Sequence, residues 1–161
     1  VDIAASHEMS KQKHFVYEYY NDRTCLVELD ECPPQPLNVD ALNVVLQFCM
    51  MVDANIVDVI NVMRKTVVDG SNTSGFQRTA LVARNGKIFV ENNSDKNGIK
   101  DVASVAIDTV CLEEDAARII SRGAECDIYR LDRLGIPLIE IATGPDMHTP
   151  KQVKEIGRAH V

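Results

Sequence analysis

Residues 78–90 constrain the fold more than any other stretch. Two short alternating runs, RTALVAR at 78–84 and KIFV at 87–90, are separated only by Asn85-Gly86. Both central residues of a two-residue type I′ turn need positive φ, so Asn-Gly at this place reads as a β-hairpin. Period-two runs recur at 14–20 (HFVYEYY), 24–29 (TCLVEL), 102–112 and 126–131, and in the run that Pro137 opens. The first two, divided by Asn21-Asp22-Arg23, read as a second hairpin. Residues 56–68, rich in Val and Ile, read as one more strand. The CPPQP segment at 32–36 cannot continue a central strand, because each proline removes a ladder donor; it is expected to be an extended connector. A helix is expected over about 39–53 behind Asn38 as N-cap. It is apolar almost all round except for Asp40, Asn43 and Gln47, so it should pack on the sheet and be largely buried. A second helix is expected over about 114–122, with Ala116, Ile119 and Ile120 inward. A third starts at TPKQ, 149–152, a capping box with proline at the first helical position. About seven strands, mostly hairpin-linked, with two or three helices make an α+β fold: a mainly antiparallel sheet covered by helices. A length of 161 residues suits one domain.

Charge and cysteine usage narrow the function classes. The net charge of −7 argues against this piece alone gripping a nucleic-acid backbone, which calls for a basic face. No uninterrupted apolar segment approaches the roughly 20 residues that cross a bilayer, and the polar start VDIAASHEMSKQKH is no signal peptide. The five cysteines, Cys25, Cys32, Cys49, Cys111 and Cys126, include no Cys-x-x-Cys pair, and four sit in apolar runs. They read as reduced, buried, structural thiols of a cytoplasmic protein. The chain does not begin with Met and ends on KEIGRAHV as a helix gets under way, so it reads as a piece of a longer protein.

The candidate chemistry lies between Leu112 and Asp146. Glu113-Glu114-Asp115 stand where an apolar run ends, and Glu140 stands inside the run PLIEI. A carboxylate in such a run should be paired, hydrogen-bonded or metal-bound. If the two runs were neighbouring strands, the carboxylates could converge on one hard cation. The plainer alternative is that the triplet complements a helix dipole and Glu140 faces water. The small and polar loop 69–75 (DGSNTSG) is either a surface loop or a backbone-rich loop admitting a phosphate or an ammonia-sized ligand. It lacks the Gly-Lys-Ser/Thr ending of a P-loop. Residues 91–100 read as a polar, mobile loop. Asp132 and Arg133 are expected to pair with each other or to cap a turn.

Three stretches together resemble one family. They are TCLVELDECPP at 24–34, MRKTVVDGSNTSGFQRTALVARNG at 63–86, and CLEEDAARII with YRLDRLGIPLIEIATGPDMHTP at 111–120 and 129–150. They are similar to the GatB/GatE family, and within it to the archaeal E-type subunits of glutamyl-tRNA(Gln) amidotransferase, relatives of the bacterial and organellar B-type subunits. The resemblance implies a fragment, residues 1–161, of the catalytic cradle domain, whose fold resembles glutamine synthetase and the guanidino kinases. The tRNA-binding helical and tail domains would be absent. It implies an activity with ATP and Mg²⁺: phosphorylation of the γ-carboxylate of Glu on mischarged Glu-tRNA(Gln), then amidation by ammonia. The ammonia would come from an asparaginase-like partner, the D-type amidotransferase subunit. Phosphoryl transfer between anionic groups needs the charge neutralised and the partners aligned. The family pattern implies Glu114 and Glu140 as metal ligands, with Glu113 as the alternative to Glu114. Its further ligands lie on a Glu-x-His strand that this sequence does not contain, so the isolated fragment is expected to be inactive. Ser71, Thr73, Ser74, Gln77 and Arg78 are candidates for lining the ATP site or the ammonia path. Two other readings stand beside this one: a scaffold that docks a partner subunit, and a glutamine synthetase-like ligase acting on a small amino acid.

Overall fold

A computed structural model describes residues 3–92 and 101–158. In chain order the elements are α1 (Ile3–Ser10), β1 (His14–Glu18), α2 (Val39–Met51), β2 (Asn55–Ile56), β3 (Val62–Thr66), β4 (Phe76–Asn92) and β5 (Asp101–Glu114). Then follow β6 (Arg118–Arg122), β7 (Cys126–Arg130), a 3₁₀ turn (Leu131–Arg133), β8 (Pro137–Thr143) and α3 (Pro150–Arg158). The strands form a three-stranded sheet, β1-β7-β6, and a five-stranded sheet, β2-β4-β5-β8, with β3 also on β4. The pairings are antiparallel for β2, β3 and β6, and parallel for β1 on β7. The α+β class expected from the sequence holds. The chain divides into two compact units: one of the residues up to Val39, Val62–Ala80 and Glu113–Leu138, the other of Asp40–Asn61, Leu81–Leu112 and the residues from Ile139 onward.

In the first unit, β1 lies beside β7 in the register His14↔Cys126 to Glu18↔Arg130. Period-two burial follows on β7, where Asp127 and Tyr129 point inward. Ala117, Tyr129 and Leu131 form a small core with Tyr17, Leu29 and Leu134 packed against it. In this unit β3 pairs with β4 from Val62↔Ala80 to Thr66↔Phe76, and Val67 N–H donates to Gly75 O at 2.9 Å. That hairpin presents the loop 68–75. In the second unit, α2 buries Val45 and Cys49, and β4 and β5 bury Val82, Ala83, Ile88, Val105, Ile107, Val110 and Leu112.

Several local expectations give way to longer-range pairing. Asn85-Gly86 does not reverse the chain, because β4 runs unbroken from Phe76 to Asn92. Asn85 has φ 59, and Lys87 N–H donates to Val52 O at 2.8 Å. A Cβ on Gly86 would come within 3.1 Å of Ala54 Cβ and of Val52 O. The left-handed Asn85 and the side-chain-free Gly86 let the 52–54 segment come close against β4. The 24–29 run is not a strand. Glu31 and Cys32 N–H both donate to Leu26 O, and Asp30 turns at φ 60, so the segment closes on itself. The helix expected over 114–122 is absent: β5 extends to Glu114, and 118–122 pairs with β7 as strand β6. Ile119 and Ile120 suit a strand once a ladder partner exists. The 56–68 run splits into β2 and β3. On α2, Val44, Met50 and Met51 are exposed, so that helix is only half buried. The short helix α1 has no counterpart among the expected elements.

Other readings hold. The strand opened by Pro137 is β8, and the capping box at Thr149 is formed: Thr149 N–H donates to Gln152 Oε1 at 2.9 Å, and Gln152 N–H donates to Thr149 Oγ1 at 3.3 Å. Asp132 and Arg133 do not pair with each other; Asp132 meets Arg118 at 3.2 Å and Arg133 meets Asp115 at 2.5 Å. The five cysteines are free thiols, but only Cys49 is buried, while Cys25 and Cys32 are exposed. Of the polar loop expected at 91–100, residues 91–92 end β4 and 93–100 lie outside the described residues.

Candidate functional site

The first unit places the acidic pair at the end of β5, where alternation sends Glu113 and Glu114 to opposite faces. Glu113 is 6 % exposed. It accepts hydrogen bonds from Thr79 Oγ1 at 2.8 Å and Lys65 Nζ at 3.3 Å. Glu114 turns the other way and meets Arg78, whose Nε lies 2.9 Å from Oε1 and whose Nη2 reaches the same oxygen. Arg78 Nη1 donates to Gln35 O at 2.5 Å, so one guanidinium ties β4 to β5 and to the proline-rich connector. Gln77 Nε2 donates to Glu114 O at 2.6 Å. Asp115, third of the triplet, is held by Arg133 Nε at 2.9 Å.

The loop after β3 is fastened from beneath by two tyrosines. Tyr17 Oη donates to Gly70 O at 2.6 Å and Tyr129 Oη donates to Asp69 O at 2.7 Å. The two rings stack at 6.0 Å between centroids, and Phe15 meets Tyr129 edge-on at 6.2 Å. Burial, followed by the charge of Asp69, raises both phenols, that of Tyr129 to about 12, so both stay protonated donors at neutral pH. Asp69 Oδ1 accepts from Ser71 N–H at 3.0 Å and Ser71 Oγ at 2.6 Å, an Asx turn. Gly70 sits at φ +82, and a Cβ there would come within 2.4 Å of the Phe15 ring, so only glycine fits. Thr73 Oγ1 donates to Glu28 O at 2.7 Å, joining this loop to the closed turn at 26–32.

These pieces enclose a cleft of about 310 Å³ within the first unit. Its walls include Glu28 and Asp30, Asn72 to Ser74, Arg78 and Glu114. Burial pushes the Glu28 carboxyl up, but hydrogen bonds from the side chain and backbone of Cys25 outweigh it and hold the group below its ordinary value. Asn72 is 7 % exposed, and its Oδ1 has no hydrogen-bond partner.

Of the residues singled out in the sequence, Glu114, Thr73, Ser74 and Arg78 come together on the cleft. Ser71, Gln77 and Glu113 stand beside it as supports of the loop and of the strand pair. Glu140 lies on β8 in the second unit, on an exposed stretch. Sequence reasoning misses Glu28, Asp30 and Asn72. The first two are the carboxylates of the CLVELDE stretch, and the third lies inside the DGSNTSG loop, so the stretches carry a signal but the individual residues do not. Among the described residues no three His, Cys, Asp or Glu side chains gather as a group that could hold a metal ion. The guanidinium of Arg78 occupies Glu114 Oε1. The donors of the first unit thus do not by themselves fit a magnesium ion.

Comparison with known proteins gives a consistent result. A family model described as the GatB/GatE catalytic domain matches residues 5–159. A protein of Methanocaldococcus jannaschii, named as the E subunit of glutamyl-tRNA(Gln) amidotransferase, is 51 % identical over 158 residues, covering 98 % of this chain and 24 % of the relative. Proteins of the same name from Pyrobaculum neutrophilum, 49 % identical over 156 residues, and Archaeoglobus fulgidus, 46 % identical over 155, cover 97 % and 96 % of this chain and 24 % of each relative. The chain spans about a quarter of the length of these relatives.

Proposed function

This chain belongs to the GatB/GatE catalytic-domain family, and from that premise we propose that it is part of the ATP- and Mg²⁺-dependent subunit of a glutamyl-tRNA(Gln) amidotransferase. The reaction phosphorylates the γ-carboxylate of Glu on Glu-tRNA(Gln) and replaces the phosphate with ammonia. The relatives' printed name supports the reaction class, and the cleft supports a reacting site in this chain. The observation that carries the proposal is the juxtaposition of Glu114, Arg78, Thr73 and Ser74 around one cavity, drawn from stretches far apart in sequence.

The chain's own residues have separable tasks in this reading. Arg78 supplies a fixed positive charge to an anionic group and holds Glu114 in place. Asn72, Thr73 and Ser74 line the cleft as neutral residues, and the Thr73 and Ser74 hydroxyls hold the loop by donating to Glu28 O and Phe76 O. Glu113, Lys65 and Thr79 hold β3, β4 and β5 in register beneath. Glu114 and Glu140, with Glu113 as the alternative, are carried over from the family pattern as Mg²⁺ ligands; the cation would neutralise charge on the phosphates. The asparaginase-like D-type partner as ammonia source, Glu-tRNA(Gln) as substrate and the cytoplasm as location belong to the same proposal. Among the described residues no helix is long and apolar enough to cross a membrane.

The test is conversion of labelled Glu-tRNA(Gln) to Gln-tRNA(Gln) by the full-length protein with ATP, Mg²⁺ and ammonium chloride. Product dependent on all three supports the proposal. Amidation of free glutamate in place of the aminoacyl-tRNA would establish the small-molecule ligase instead, and no amidation of either would leave the scaffold reading.

A further inference from the structure

Strands β3 and β4 set two arginines against each other. In their antiparallel register Arg64 lies directly opposite Arg78, and side chains at opposed positions share one face of the hairpin. Like charges so placed repel and weaken a strand pair. Arg78 is compensated within the fold: Nε and Nη2 go to Glu114, and Nη1 goes to Gln35 O. Arg64 is not. It is exposed, and among the described residues neither a carboxylate nor a hydrogen-bond acceptor meets its guanidinium. A local arrangement that costs stability without compensation inside the fold is where a functional role is expected.

What holds Arg64 is an aromatic ring at the cleft. Its Cζ stands 5.6 Å from the centroid of Phe76, and Phe76 lines the cleft beside Arg78 and Glu114. A cation over a ring consumes no N–H donor, so the five donors of the fork stay available. The ring also restrains a long side chain, so less freedom is lost when the fork takes a ligand. The charge of the cleft then decides where an anion can settle. Among the described residues Glu28, Asp30 and Glu114 line it against the guanidinium of Arg78, which is already directed into the fold. An anion therefore gains most at the edge marked by Phe76, where an uncommitted guanidinium stands.

We infer that Arg64 binds a phosphate of the nucleotide at the mouth of this cleft, its fork set against two phosphate oxygens. The inference rests on the reading above, in which ATP is the phosphoryl donor. A planar guanidinium matches two oxygens of one phosphate, and charge-assisted pairs of this kind are the stronger hydrogen bonds. A bound phosphate also relieves the repulsion between the opposed arginines, so the hairpin is better satisfied with its ligand than without it. Holding the phosphate beside Arg78 and Glu114 lowers the entropic cost of aligning it with the carboxylate it is to meet. Arg64 is a binding residue in this account: a guanidinium stays charged at any working pH, so it positions the phosphate and moves no proton.

The test uses the full-length protein with Mg²⁺ present. ATP, adenosine and uncharged tRNA(Gln) are titrated by calorimetry into the wild type, Arg64→Ala and Arg64→Lys. The side chain is exposed and its loss relieves a like-charge contact, so the variants should keep the unliganded thermal midpoint of the wild type. Arg64→Ala should weaken ATP at least about tenfold and leave adenosine and tRNA(Gln) unchanged. Arg64→Lys keeps the charge but loses the fork, and should recover only part of that loss. In steady-state amidation the same variants should raise KM for ATP and leave KM for Glu-tRNA(Gln) in place. Unchanged ATP affinity in Arg64→Ala overturns the inference. So does an equal loss for ATP and adenosine, which would mark a structural role, and so does a loss that falls on tRNA(Gln) alone. Loss of ATP affinity in the variants, with no amidation of any tRNA by the wild type, overturns the proposed function while the role of Arg64 stands. No ATP binding by the wild type overturns both.

Discussion

Replacing Tyr129 with Phe isolates one hydroxyl in a packed setting. The ring is 3 % exposed and keeps its contacts with Tyr17 and Phe15 in the variant. What disappears is the donor to Asp69 O at 2.7 Å. Losing one neutral hydrogen bond and leaving its acceptor short of a partner costs about 1–2 kcal/mol. Tyr129→Ala removes the ring as well and should cost about 3–5 kcal/mol. The hydroxyl also sets an alkaline limit. Its pKa in the folded chain is about 12 against 10.0 for an unperturbed tyrosine, raised first by burial and then by the charge of Asp69. Above pH 10 the unfolded chain loses the phenolic proton first. The stability from this group is therefore full below pH 10 and drains away as pH rises towards 12. The loss is on the order of 2–3 kcal/mol, at roughly 1.4 kcal/mol per pH unit. Tyr17, shifted in the same direction, adds to the same window. Urea unfolding of wild type and Tyr129→Phe at pH 7.5 and across pH 9–12 reads both effects. The variant should be weaker at pH 7.5 and should lose less stability between pH 10 and 12. Equal midpoints at neutral pH and parallel alkaline curves would refute the claim that this hydroxyl anchors the loop.

Other perturbations have definite outcomes. Gly70→Ala puts a methyl into the Phe15 ring at a positive φ and should destabilise by more than about 2 kcal/mol, read by thermal melting; a midpoint like that of wild type would contradict the 2.4 Å approach. Thr149→Ala breaks the capping box and should cost about 1 kcal/mol, with faster hydrogen exchange confined to α3. Under denaturing, non-reducing conditions five thiols should titrate, while in the folded protein Cys25 and Cys32 should react first and Cys49 last. A stable disulfide, or a fast Cys49, would contradict this ordering.

What can be read from the sequence follows the range of the interactions that decide each part. The PLIEIAT strand and the capping box at Thr149 are written in neighbouring residues, and both are legible. Asn85-Gly86 misleads because the same left-handed, side-chain-poor pair that makes a type I′ turn also lets the 52–54 segment approach β4. Nothing within 78–90 distinguishes the two. RIISR at 118–122 reads as helix until β7 is placed beside it, and β1 finds its parallel partner in β7, more than a hundred residues away in the chain. The candidate site divides in the same way. Motif resemblance picks out Glu114, Arg78, Thr73 and Ser74, but their gathering depends on the β4–β5 pairing and on the closed turn at 26–32. That turn brings in Glu28 and Asp30, which look like strand residues as long as 24–29 is taken to alternate.

The sharpest measurement separates the two adjacent glutamates by function. Glu114 lies on the cleft against Arg78, and Glu113 is turned away into a bond with Thr79 and Lys65. Single-turnover amidation of Glu-tRNA(Gln) and thermal midpoints should be recorded for Glu114→Gln and Glu113→Gln in the full-length protein. Glu114→Gln should lose at least about 100-fold in rate, with a stability loss of no more than about 1–2 kcal/mol from the weakened bond to Arg78. Glu113→Gln should lower the midpoint, for a stability loss of about 1–2 kcal/mol once the exposure of Lys65 is allowed for, and keep most of its rate. The reverse pattern, or full activity in Glu114→Gln, would contradict the assignment of the cleft as the place where this chain takes part in the reaction.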